Sequence, residues 1–266
     1  MKTTRLTAML LLAGAMILPA TQISAQTRKS GARKTTTTAK KTTAAKPAAA
    51  AKSVSLADSY YEGIVKMKGQ PMDFFSTLNF SSSDGAFNFA GAADFPVTYT
   101  ASEAAGKMTI TLTSKVVNGT LTSKDKGSSM DGTINFNGNA LTAWFVKVNK
   151  NHTTPTVSDE ELMTIVGYPD GYTAFVIGEQ GGQKVCFPAD MTLNANDKSY
   201  SVTFDNAIVQ QIFSKLAGDY NVQDKMLVLS DASGKKISGK IYDDGTYISL
   251  PMGSAQGFDF SLLMIR

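Results

Sequence analysis

One histidine and one cysteine are the only imidazole and thiol in the 266 residues. A Ser-His-Asp relay would have to recruit His152, and no Gly-x-Ser-x-Gly elbow accompanies it. His152 falls in a polar run, residues 150–158, with no partner nearby in sequence, and reads as an exposed linker residue. Cys186 lies in Val185-Cys186-Phe187-Pro188, an apolar context that suits a buried small hydrophobe better than a nucleophile. With one of each, most metal sites built from Cys and His ligands are excluded, as is any intrachain disulfide. Two carboxylates suffice for glycoside hydrolysis, and Asp243-Asp244 is the adjacent pair. That pair opens Asp243-Asp244-Gly245-Thr246, which reads as a hairpin turn. The acidic run Asp159-Glu160-Glu161 reads as a helix N-terminus, where the helix dipole stabilises negative charge. A calcium-loop pattern is absent, and Gly181-Gly182 reads as a link between two strands rather than a phosphate-binding loop. These residues predict a non-catalytic protein without a cofactor or metal; a carboxylate-only hydrolase is the enzymatic alternative.

Aromatic residues carry the stronger signal. Tyr60, Tyr61, Phe74, Phe75, Phe80, Phe87, Phe89, Phe95 and Tyr99 crowd into forty residues. Such rings pair across strands in a core, or line an apolar pocket at a barrel mouth. The expected pocket wall is Tyr61, Phe74, Phe80, Phe87, Phe89 and Tyr99, with the sole tryptophan, Trp144. The expected ligand is small and apolar or amphiphilic.

The elements that must position these rings are strands. Met72, Phe74, Leu78 and Phe80 share one face of their run, as do Met108, Ile110 and Leu112, and Met130, Ile134 and Phe136. This period of two marks half-buried strands. Asp84-Gly85, Asn118-Gly119, Asp131-Gly132, Asn137-Gly138, Asp170-Gly171 and Asp244-Gly245 supply turn signals, with Asp131-Gly132 also readable as a bulge. About eight strands are expected between residues 59 and 149 by this spacing. The polar run with Pro155 marks a boundary, and Ser158 with Glu161 has capping-box spacing for a short helix ending near Gly167. Seven further strands are expected between residues 172 and 265, interrupted by a helix over 207–217 that Gly218 would end. The fold class is therefore all-β and mostly antiparallel, an up-and-down barrel or a sandwich, with two short helices in the second half. Residues 55–150 form a first β-barrel-like domain; residues 158–266 form a second β-rich domain or a continuation of the first. Lys107-Met108 and Lys225-Met226 each open a strand run, a faint internal echo without a fixed period.

Tyr61-x-Gly63 near the start of the first strand, followed by a meander of about eight strands, resembles the calycin class of lipocalins and avidins. Ile237-Ser238-Gly239-Lys240-Ile241-Tyr242 before Asp243-Asp244-Gly245-Thr246 resembles envelope proteins of gut-type anaerobic bacteria that carry lipocalin-like domains. The resemblance implies a calycin-like barrel holding a small ligand. It lies in strand spacing and composition; the Gly-x-Trp signature of lipocalins is missing, and no functional residue is carried over.

The N-terminal residues address the chain rather than fold it. Lys2 and Arg5, an apolar run over residues 6–18, and Ile23-Ser24-Ala25 before Gln26 read as a cleaved export signal, residues 1–25. Residues 26–54 read as a disordered basic Thr/Ala/Lys linker, since this stretch has almost no apolar side chain to bury. Residues 27–52 hold eight cations and no acid, whereas residues 53–266 hold 16 cations against 22 acids. The basic balance thus belongs to the tail, which argues against a nucleic-acid-binding domain. No further apolar run could span a membrane as a helix. The expected location is exported, in the periplasm or on the outer surface of a bacterium. The structural alternative is an adhesive module whose residues 27–52 grip an anionic envelope surface.

Overall fold

Strands with one apolar face must curl onto that face or pack it against another sheet. The structure, a computed structural model, describes residues 51–168, 172–213 and 215–266. The expected export signal, residues 26–50 of the basic segment and the Asp170-Gly171 turn lie outside the described residues. In chain order the first strands are β1 (Lys52–Ser53), β2 (Tyr60–Met67), β3 (Asp73–Phe80), β4 (Asp84–Phe89) and β5 (Ala93–Ala104). They continue with β6 (Lys107–Thr113), β7 (Val117–Ser123), β8 (Ser129–Phe136) and β9 (Asn139–Val148). Helix α1 (Asp159–Val166) then leads to β10 (Thr173–Gln180), β11 (Gln183–Asn194) and β12 (Ser199–Phe204). Helix α2 (Ala207–Ile212) precedes β13 (Leu216–Gln223), β14 (Met226–Asp231), β15 (Lys236–Tyr242), β16 (Tyr247–Ala255) and β17 (Phe258–Ile265).

Each half closes. Strands β2 to β9 form an antiparallel meander, and β2 pairs with β9 to complete a ring of eight. Strands β10 to β17 repeat this, with β10 paired to β17. The fold is thus the all-β barrel of the expected alternatives, not the sandwich. A ring of eight leaves an interior that side chains just fill. Inward positions of the first ring hold Val65, Leu78, Ile110, Leu121, Ile134 and Leu141, all fully buried. Those of the second hold Val176, Val202, Leu227, Ile248, Phe258 and Leu262.

Three expectations are corrected. Lys52 and Ser53, expected within the disordered linker, form β1 and pair with Glu103 and Ser102 on β5. The helix expected over 207–217 stops at Ile212, and β13 occupies the residues after it. Ile208, Val209, Ile212, Phe213 and Leu216 share a helical spacing, but Leu216 pairs with Val202 of β12 and the strand it opens buries Tyr220 and Val222 at a period of two. Gly218 lies in that strand rather than ending a helix; a Cβ on it would meet the Ser230 carbonyl oxygen at 2.0 Å. Asp84-Gly85 and Asn118-Gly119, expected as turns, lie inside β4 and β7, and Asp131-Gly132, readable as a turn or a strand bulge, lies inside β8 in unbroken register. Their glycines admit a neighbouring backbone: a Cβ on Gly132 would meet the Thr120 carbonyl oxygen at 2.1 Å. Asn137-Gly138 does turn, with positive φ at both residues, and α1 carries the full Ser158–Glu161 capping box.

The rings are joined in two ways. Strand β3 meets β4 only over Thr77–Phe80, and β11 meets β12 only over Ala189–Asn194. The splayed ends pair with each other, Val185 opposite Phe74 and Cys186 opposite Asp73, so neither edge is left open. Outward side chains of both rings then form a second apolar cluster. Ile64, Phe75 and Val146 face Phe175, Ile177, Cys186, Leu263 and Ile265, with Trp144, Val148 and Tyr247 at its margin. Cys186 is wholly buried in this seam, and burial pushes its thiol pKa well above the ordinary value. A thiol reagent at about pH 8 is therefore expected to leave Cys186 unmodified in the native protein and to modify it fully in denaturant. Fast native labelling would show that the rings separate.

Candidate functional site

The chain crosses from one ring to the other through residues 149–158, and this crossing is tied down. Asp243 accepts hydrogen bonds from Thr153 N (2.8 Å), Thr153 Oγ1 (2.7 Å) and Asn149 Nδ2 (3.1 Å). Asp244 accepts from Thr156 N (2.7 Å) and Thr156 Oγ1 (3.2 Å). At the far end Asp159 accepts from Asp224 N, and the Lys225 ammonium donates to the Val157 carbonyl. The turn at Asp243-Asp244-Gly245 holds three consecutive positive-φ residues, which aims both carboxylates at the crossing segment. Asp243 and Asp244 are thus the clamp of a strap rather than a matched acid–base pair.

Clamping the strap places His152, expected as an exposed and partnerless linker residue, in a half-buried site between the rings. Its φ is 45°, and its side chain is only 23% exposed. Nε2 lies 3.7 Å from Oε1 of Glu62 on β2, and Nδ1 lies 3.5 Å from Oδ2 of Asp243. The imidazole packs against Tyr247 (ring centroids 4.0 Å apart) and Tyr242 (5.5 Å). The Glu62 carboxylate raises the His152 pKa above its ordinary value, partly opposed by burial, and Asp243 adds to the rise. Glu62 is itself almost enclosed, with a side chain 8% exposed and an Oε2 atom that makes no hydrogen bond. Burial, with the Glu62 charge as a second cause, pushes the Tyr60 phenol up to about 12. The same two causes raise the Tyr247 phenol strongly. Both ring nitrogens of His152 face carboxylates, so neither is aimed at a serine or threonine hydroxyl as a nucleophilic relay requires. Among the described residues no group of three or more His, Cys, Asp or Glu side chains could hold a metal ion.

Concave surface lies beside this cluster. A groove of about 730 Å³ runs along the crossing, walled by Tyr60, Asn79, Lys147, Asn149, Lys150 and Asp243. A smaller cavity of about 300 Å³ shares Tyr60, Asn79 and Lys150 with it and has Glu62, Phe75 and Lys184 in its wall. Tyr60 stands at the junction, with the Lys150 ammonium 5.8 Å from its ring centroid.

Most of the aromatic residues expected to wall a pocket are elsewhere. Tyr61, Phe74, Phe80, Phe87 and Phe89 are buried inside the first ring and packed on one another. Phe74 lies 5.0 Å from Phe89, Phe89 stacks on Phe136 at 4.9 Å, and Tyr61 meets Phe80 edge-on at 5.8 Å. Their ring faces make the core contacts that fill an eight-stranded barrel. Half-buried Tyr99 packs on Phe80 at 4.7 Å and donates to the Ser81 carbonyl. Trp144 points out of the barrel and meets Phe175 across the seam at 5.9 Å. Of the seven, Phe80 also borders the large groove, and Trp144 borders a separate groove of about 700 Å³ with Lys147 and Arg266. Glu62 and Asp243 flank His152 from sequence separations of about ninety residues, which no local pattern could reveal. Tyr60, in the aromatic run, and Asp243, in the adjacent acidic pair, were legible as residues but not as neighbours of His152.

Compared with family models, with curated proteins and with solved structures, the chain gives no match in any of the three.

Proposed function

We propose that the protein is an exported, non-catalytic binding protein of the bacterial envelope, and that it holds a small amphiphilic ligand in the groove between its two barrels. The observation that carries this reading is the 730 Å³ groove itself, in which Tyr60, Phe80 and Val148 lie beside Asn79, Asn149, Asn151 and Lys150. A concave site with an aromatic face and convergent polar groups is the usual form of a small-molecule site. The packed barrel interior supports placing the ligand in the groove rather than in the lumen. The two closed eight-stranded rings are compatible with a calycin-like ancestry. Export rests on the reading of residues 1–25. The charge contrast between residues 27–52 and the acidic remainder supports a tail that adds retention at an anionic surface. No helix among the described residues is long and apolar enough to cross a membrane.

Gentle native mass spectrometry of protein purified from its own envelope fraction tests this. A co-purifying mass of a few hundred daltons is expected, and Tyr60→Ala is expected to lose it, by roughly tenfold in affinity if the ring stacks on the ligand. An unliganded protein after exposure to envelope lipid and glycan extracts would count against the groove.

A further inference from the structure

The two large grooves are equivalent places in the fold. The rings dock through matching strands. The first and last strands of one ring, β2 and β9, lie against β10 and β17 of the other, and the second strands, β3 and β11, pair antiparallel. An approximate two-fold axis therefore relates the rings, as in an isologous dimer. The 730 Å³ groove has Tyr60 of β2 and Val148 of β9 on one side, and Asp243 and Thr246 from the β15–β16 connection on the other. The 700 Å³ groove has Thr173 of β10 and Ile265 of β17 on one side, and Asp125 and Ser128 from the β7–β8 connection on the other. In each ring that connection joins the sixth strand to the seventh. Lys147 and Thr246 stand in both walls, so the two grooves meet.

Each groove has a half-buried aromatic ring in its wall, Tyr60 in the first and Trp144 in the second. Tyr60 stands opposite Val148 and Trp144 opposite Ile64, four positions apart on the β2–β9 ladder, which is about 13 Å. One small ring cannot touch both. The polar groups between them are mostly neutral. Asn79, Asn151 and Lys147 leave their side-chain polar atoms without a partner among the described residues. The carboxylates of both connections are engaged, Asp243 by Thr153 and Asn149, and Asp125 by Ser123 and Ser129. Spaced aromatic faces with free amides between them suit a chain of sugars, because a pyranose has an apolar C–H face to stack and a rim of hydroxyls to hydrogen-bond. An extended peptide is disfavoured, since the closed rings offer it no strand edge to pair with in these walls. We propose, building on the groove reading above, that the amphiphilic ligand is an oligosaccharide that lies across both grooves. One sugar stacks on Tyr60 and another on Trp144, with hydroxyls bonded to Asn79 and Asn151 and to Lys147 at the junction.

The test titrates the purified protein with maltohexaose, xylohexaose and chitohexaose, with the matching disaccharides, and with separate glycan and lipid fractions of its own envelope. Trp144 is the only tryptophan, so its fluorescence and its single indole N–H signal report on the second groove alone. The amide signals of Asn79 and Asn151 report on the first. A hexasaccharide or the envelope glycan fraction is expected to move both sets of signals with one midpoint. A hexasaccharide that does so is expected to bind one chain per protein, about tenfold or more tightly than its disaccharide. Tyr60→Ala and Trp144→Ala are each expected to weaken it about tenfold, and Asn151→Ala, on the exposed strap, about threefold. A glycan that moves the first set alone, two separate midpoints, or undiminished binding by Trp144→Ala overturns the spanning chain. Should Trp144→Ala fail to fold, the indole signal of the native protein decides, and an unmoved indole overturns it. If the lipid fraction moves Asn79 and Asn151 while no glycan does, the oligosaccharide fails and the groove stands. If nothing moves those residues, both fail.

Discussion

Gly63→Ala is expected to destabilise the protein by about 4 kcal/mol, lowering the melting temperature by roughly 10 °C. A Cβ at residue 63 would lie 2.0 Å from the Trp144 carbonyl oxygen and 2.7 Å from the Phe145 Cα. Both are backbone atoms of β9, so no side chain can swing away. The strain is steric rather than conformational, and it falls where β2 and β9 close the first ring. The same strands present Ile64 and Val146 to the seam, so forcing them apart loosens the docking of the second ring as well. Gly239→Ala is the counterpart in the second ring, where a Cβ would lie 2.2 Å from the Ser249 carbonyl oxygen. Gly138→Ala is the control. It has φ of 82° and open space around it, so only the left-handed backbone is penalised, by about 1 kcal/mol. Thermal unfolding of the three variants checks the ranking; equal effects at residues 63 and 138 would show that β2 and β9 do not approach so closely.

His152 is expected to make stability depend on pH near neutrality, through the strap. Its folded-state pKa is raised, chiefly by Glu62, so the protonated form is favoured on folding. That contribution is fully present below the unfolded value of about 6.5 and is lost as pH rises through the raised folded value. The groups facing the imidazole are Glu62, Asp243, Tyr242 and Tyr247. Burial and the Glu62 charge raise the Tyr247 phenol still further above neutrality, so the imidazole is the group that titrates there. As the sole histidine, it gives one imidazole signal in NMR, and that signal is expected to titrate above the ordinary value. His152→Asn, which tolerates the positive φ, is expected to abolish the pH step and to cost about 2 kcal/mol below pH 6.5, because Glu62 is left buried beside a neutral side chain. A titration at or below the ordinary histidine value, or a pH profile unchanged in His152→Asn, would show that the imidazole is not held between the two carboxylates.

The site and the fold differ in how far they could be read. Alternation over Met108, Ile110 and Leu112 specifies a strand with a core face, because side chains on a pleated strand point to opposite sides residue by residue. Ser158 with Glu161 specifies a helix start, because both halves of the capping box lie within one turn. Residues 213–217 were misread because Phe213 and Leu216 continue the helical spacing of Ile208, Val209 and Ile212, and only the pairing of Leu216 and Ala217 with β12 makes their end a strand. The aromatic run was legible as apolar mass but not as a location: the same alternation holds for a packed lumen and for a pocket wall.

What the sequence determined by itself was local: strand and helix identity, the capped start of α1, the Asn137-Gly138 turn and the position of the break between two strand-rich halves. Each depends on interactions spanning a few residues. Tertiary structure alone decided that each half closes into a ring, since closure pairs β2 with β9 and β10 with β17 across the length of each half. It also decided that Phe75, Trp144 and Cys186 serve a seam, and that Glu62, His152 and Asp243 meet. Those three carry no mutual pattern along the chain; they converge because Asp243 and Asp244 clamp the strap where it crosses between the two docked barrels, which sets His152 against Glu62.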